Sequence, residues 1–135
     1  MDIKQFDVKT AVEKGHTFTL VYPDFDPEGR GGEPTDVTID VYGVGSAAYE
    51  KASDDIEAYQ TKCWSKDKPV NKDHLKTLQI ALVVACTRGW NGFEEDGKPY
   101  PYTKTNAEKL FSENEWIVVQ VIKEIGNVKA MLEKK

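Results

Sequence analysis

Histidine, cysteine and runs of basic charge are all scarce in this 135-residue chain, and each shortage removes a class of function. Histidine is the side chain suited to act as a base near neutral pH, only His16 and His74 are present, and neither stands in a motif, so acid–base catalysis has few candidates. Cys63 and Cys86 form neither a CxxC pair nor a Cys/His cluster, which excludes a disulfide framework and a zinc-binding pattern. Each reads as a small apolar residue in a reducing compartment, and although Lys62 stands beside Cys63, no His or Asn is locally arranged to make that cysteine a nucleophile. No stretch approaches the roughly 18 consecutive apolar residues of a membrane span, and Met1-Asp2-Ile3-Lys4 lacks the apolar core of a signal peptide. A cytosolic chain with no membrane partner is expected. No Lys/Arg run exceeds two residues and the formal net charge is -5, so a surface that tracks phosphates, and with it a nucleic-acid partner, is not expected.

What is present describes one domain over residues 1–135, with a short helix and a β-hairpin in 1–45 and a helical part in 46–135. Asp7 to Lys14 reads as a two-turn helix capped by Asp7 and closed by Gly15. His16 to Tyr22 and Asp36 to Tyr42 alternate apolar and polar residues, which predicts two antiparallel strands. The Pro- and Gly-rich segment between them predicts an exposed, mobile tip over Asp24 to Pro34. Ser46 opens a helix whose stripe is Tyr49, Ala52, Ile56, Tyr59 and Cys63. A second helix, from about Lys72 to Arg88, is apolar almost all round in its latter half and should be the most buried. Thr105 to Glu108 reads as a capping box for a short helix through Phe111, and Ser112 to Glu115 repeats the pattern ahead of a long helix through Leu132. The expected class is α+β: a mostly helical single domain with one antiparallel hairpin near the N-terminus.

Three motifs imitate chemistry. Gly43-Val44-Gly45-Ser46-Ala47-Ala48 follows a strand and opens a helix like a dinucleotide fingerprint. That fold requires a second parallel strand after the helix, and Trp64 to Asn71 has no strand pattern, so a glycine turn with Ser46 as N-cap is expected. Asp24, Asp26, Glu28 and Gly29 copy the first half of a calcium loop, but Thr35 stands where a bidentate Glu belongs. Glu94, Glu95 and Asp96 form an acidic run that reads as solvated loop. Neither cofactor nor metal nor catalytic residue is expected.

Four stretches resemble a known family: AVEKG before TFTLVYP, DVTIDVYGVGSAAYEKA, WNGFEEDGKPYPYTKTNAEKLF and WIVVQVIKEIGN. The third is the most specific, with Trp90-Asn91-Gly92-Phe93, then Asp96-Gly97-Lys98-Pro99, then Thr105-Asn106-Ala107-Glu108. The chain is similar in these to the tail assembly chaperones of long-tailed, siphovirus-type bacteriophages. It departs from them in its long Asp24 to Pro34 tip and in Val128 after Asn127. The resemblance implies a non-enzymatic protein of the host cell cytoplasm that coats the phage tape-measure protein, keeps it soluble and helps recruit tail-tube protein. A phage-encoded inhibitor or regulator that binds a host protein is the alternative.

Such a role needs apolar surface, and the closing helix holds a surplus. Between Trp116 and Leu132 there are ten large apolar residues, of which one stripe such as Val118, Val121, Ile122, Ile125 and Leu132 accommodates about half. The rest require a cover. Either the loop from Trp90 to Tyr102 folds over Trp116 and Ile117, or a second subunit or client does, making a homo-oligomer with Trp90, Phe93, Tyr100, Tyr102 and Trp116 as candidate partner-binding anchors.

Overall fold

The computed structural model describes residues 1–133. A short 3-10 helix (Ile3–Phe6) leads into α1 (Val8–Lys14), whose N-terminus Asp7 caps by accepting from the Thr10 N–H at 3.2 Å. Gly15 ends it with φ +64, and a Cβ there would lie 1.7 Å from the Val41 carbonyl oxygen. β1 (His16–Val21) and β2 (Pro34–Val41) then pair antiparallel, Phe18 opposite Ile39. Leu20, Val37, Ile39 and Val41 are buried on one face, as the alternation predicts.

The connecting loop is not a featureless tip. The Tyr22 N–H donates to Glu33 O at 2.9 Å, and Arg30 holds both Asp26 oxygens, at 2.9 and 3.0 Å, with its guanidinium 4.0 Å from the Tyr22 ring centroid. Two of the acids that imitated a calcium loop, Asp26 and Glu28, are thus paired to Arg30.

α2 (Ala47–Ser65) and α3 (Lys72–Cys86) form an antiparallel helical hairpin, and α2 packs chiefly on α3. Of the nineteen α2 residues only Cys63 is buried. The expectation that the second of these helices is the most buried is corrected. In α3 only Val83, Val84 and Cys86 are buried, and Ala81 and Ala85 face outward. That helix also stops two residues before the predicted Arg88. Thr87 donates its hydroxyl to Val83 O at 2.8 Å, and the chain extends as β3 (Thr87–Asn91), antiparallel to β2. The sheet is therefore three-stranded, in the order β1-β2-β3.

After the two-residue strands β4 (Glu94–Glu95) and β5 (Lys98–Pro99) comes α4 (Lys104–Glu113). Its N-cap is Thr103, accepting from the Asn106 N–H at 3.0 Å, and not Thr105. Asn106 Nδ2 also donates to Pro101 O at 2.9 Å, which ties the helix start to the loop and moves it upstream of the expected capping box. The second expected box is displaced as well. Ser112 back-bonds to Glu108 O, and the break falls at Asn114, whose amide donates to Leu110 O.

The predicted long helix is two. α5 (Glu115–Ile125) ends at Gly126, and Asn127 starts α6 (Val128–Glu133) by accepting from the Ala130 N–H at 3.2 Å. α5 lies along β1, where Gln120 exchanges two 3.0 Å hydrogen bonds with the Val21 backbone. His16 Nε2 sits 3.0 Å from Glu124 O. The Gln120 pair occupies part of an edge strand that would otherwise present unpaired backbone. The core runs from Ala11 to Met131 through every major element except α2, so the protein is an α+β fold with its hairpin near the N-terminus. No helix among the described residues is long and apolar enough to cross a membrane.

Candidate functional site

The turn from β2 into α2 is where the sheet, α1, α5 and α6 meet. Gly43 is buried, and a Cβ on it would approach Met131 Sδ to 2.5 Å and Val12 Cγ1 to 2.7 Å. The Gly43 N–H donates to Val12 O at 2.8 Å and the Val44 N–H to Ile125 O at 2.9 Å. Ser46, fully buried, caps α2 by accepting from the Tyr49 N–H. The fingerprint-like glycines thus serve close packing and a helix start, and β2 is antiparallel to both neighbours.

That turn fixes one end of an apolar groove between α5 and the α2–α3 hairpin, with a volume of about 530 Å3. Val83, Phe111, Val118 and Ile125 form its floor, and Tyr49, Ile56 and Leu82 its walls. Val44, Val119 and Ile122 stand at its rim, 37%, 60% and 53% exposed. Four residues, Lys76, Gln79, Ser112 and Glu115, supply most of its polarity. Branched apolar residues on several sides of α5 make this possible: one side fills the core while Val119 and Ile122 face the groove.

The expected stripe is corrected here. Ile117 is buried in place of Ile122, and Leu132, half-buried, belongs to α6. Both changes follow from the break at Gly126 and from how α5 is turned against the sheet.

Four of the five candidate anchors come together elsewhere. Trp90, 8% exposed, stacks at 6.1 Å on Tyr100 and meets Phe93, Tyr102 and Phe111 edge-on at 5.2, 4.9 and 6.1 Å. Its indole N–H donates to Tyr100 O at 2.9 Å, and the Tyr102 hydroxyl to Thr87 O at 2.7 Å. Burial raises the Tyr102 pKa, with Tyr42 adding to the effect. Trp116 stands apart and meets Phe25 of the β1–β2 loop edge-on at 6.5 Å. Trp116 thus lies outside the ring cluster that Trp90 centres.

The remaining reactive candidates are dispersed. His16 is buried beside Glu124, and exposed His74 meets the Tyr59 ring at 4.3 Å. Burial pushes the Cys86 thiol up to about 11, away from thiolate chemistry. Among the described residues no three His, Cys, Asp or Glu side chains stand close enough together to hold a metal ion.

Two features escaped sequence reading. One is the groove rim, signalled only by the apolar surplus of α5. The other is Trp64, 84% exposed at the tip of the α2–α3 hairpin, for which an aromatic residue among lysines was the signal.

An antiparallel sheet flanked by helices, with an open apolar groove on one side, defines a domain of α+β class. Residues 44–135 match the family model described as YdaY prophage protein, which is more than half of the chain. The chain belongs to this family and is of phage origin. The match starts beside the turn into α2, so α1 and the β1–β2 hairpin lie outside it. No curated protein and no solved structure matches the chain.

Proposed function

We propose that this prophage protein is a tail assembly chaperone of siphovirus type, which holds an apolar segment of the tape-measure protein in the groove between α5 and the α2–α3 hairpin. The observation that carries the reading is the groove itself: branched apolar side chains exposed at its rim, with few polar groups to orient a small substrate. The four stretches similar to tail assembly chaperones support the identity of the client. A net charge of -5 would keep the loaded complex in solution in the host cytoplasm. Chaperoning of this kind is non-catalytic, works with several copies of the chain, and brings tail-tube subunits to the bound tape-measure protein.

Co-expression with a tape-measure fragment tests the reading, and the fragment should co-purify. Covering the exposed halves of Val119 and Ile122 is worth about 1 kcal/mol each, so Val119→Asp with Ile122→Asp should weaken the complex by at least ~30-fold. Normal capture by a folded double variant, or no capture by the parent chain, refutes the assignment.

A further inference from the structure

The α2–α3 hairpin divides into two ends of opposite charge. Near its foot, residues 47–58 carry Glu50, Asp54, Asp55 and Glu57 against Lys51 alone. Around its tip, residues 62–72 carry Lys62, Lys66, Lys68 and Lys72 against Asp67 alone. A locally basic tip is thus set on a chain that is acidic as a whole.

Trp64 stands in the middle of that basic tip, 84% exposed, and its backbone is firmly held. The Asp67 N–H donates to Trp64 O at 3.1 Å and the Lys68 N–H to Cys63 O at 2.9 Å, with Asp67 at φ +52 closing the turn. The Asn71 N–H donates to the Tyr59 hydroxyl at 3.0 Å, which ties the start of α3 back to α2. A large aromatic side chain on a backbone already fixed loses less freedom on docking than one on a loose loop.

We infer that the α2–α3 hairpin is a self-complementary dimer surface, on which two copies of this chain lie antiparallel about a two-fold axis. In that arrangement the basic tip of each copy covers the acidic foot of the other, so every attraction occurs twice. Tyr49 and Trp64 are roughly 22 Å apart along α2, so an axis near the middle of the helix brings Trp64 of one copy level with Tyr49 of its partner. Tyr49 belongs to the groove wall, which gives the indole an apolar seat. α2 is free to take part because, among the described residues, α3 is its only extensive neighbour. The pairing is electrostatic in origin and weakens with salt.

Sedimentation of the full chain, without any client, at several concentrations and at low and high salt is the test. A dimer should form at low salt and dissociate as salt rises. Trp64→Ser should weaken it at least ~10-fold. Lys66→Glu with Lys68→Glu, and separately Glu50→Lys with Glu57→Lys, should each give folded monomers by circular dichroism, all four positions being exposed. Mixing these two variants should restore a dimer, because each tip then meets a foot of opposite charge. A strict monomer at low salt, a dimer indifferent to these changes, a mixture that stays monomeric, or one that grows beyond dimer overturns the proposal. Persistence of the dimer in Trp64→Ser, with loss of tape-measure capture instead, would make the tip a client anchor and also overturns it. Because sedimentation involves no client, its failure leaves the tail-assembly reading standing, and the converse holds.

Discussion

Gly43→Ala isolates what the fingerprint-like turn does. The added methyl would meet Met131 Sδ at 2.5 Å and Val12 Cγ1 and Cβ at 2.7 and 2.8 Å. Met131 can swing aside, but Val12 is branched at Cβ and sits in the core under the sheet, so one wall of the contact is stiff. Overpacking of this kind costs about 2 kcal/mol, which for a domain of this length lowers Tm by roughly 8 °C. Gly89→Ala is the internal control. Nothing lies within 4 Å of its Cβ and its φ is not positive, so Tm should move by less than ~2 °C, or rise, since glycine disfavours a strand. Thermal unfolding followed by circular dichroism reads both. Equal Tm values for Gly43→Ala and the parent would show that the turn is looser than the packing implies. The close-packing account of the motif would then fail.

Two further outcomes follow from the aromatic residues and the hairpin loop. Trp90→Ala removes the centre of the buried ring cluster and should cost about 3–5 kcal/mol in urea unfolding, whereas Trp64→Ala, at an 84% exposed site, should change stability by less than ~0.5 kcal/mol. Hydrogen bonds from Arg30 lower the Asp26 carboxyl from 3.8 to about 2, so this contribution to loop order is complete above pH 3.8 and is lost as pH falls through about 2. Carboxyl titration by NMR should show the low value, and Arg30→Gln should return it towards 3.8; an unchanged titration refutes the clamp.

Period-two alternation made β1 and β2 readable, because each strand has one face in the core and register follows from that face. β3 was not readable. Thr-Arg-Gly-Trp-Asn has low intrinsic strand preference, and it is extended because β2 offers a partner once α3 has delivered the chain to its edge. The loop clamp was hidden for a similar reason: Arg30 and Asp26 are four apart in a proline- and glycine-rich segment where no helix suggests they should meet. For the groove, the apolar surplus of α5 was legible, but which residues were surplus was not. That depends on how the helix is rotated about its own axis, set by Gln120 on Val21 and by the break at Gly126. The aromatic loop shows the converse, since its composition suits an exposed anchor and a satellite core equally and only the ring geometry separates them.

The helical hairpin leaves and re-enters the body at nearly one point. The Tyr42 N–H, just past β2, donates to Cys86 O, the last residue of α3, at 2.8 Å. Between these two positions the chain travels out and back without supplying the sheet with a strand. Its reach is therefore a separate variable from the stability of the body: adding or removing matched turns in α2 and α3 changes how far Trp64 projects while β2 and β3 still meet at the same register. The sheet is closed beneath the arm like a clasp, so the length of the two helices can vary while the joint between Tyr42 and Cys86 stays as it is.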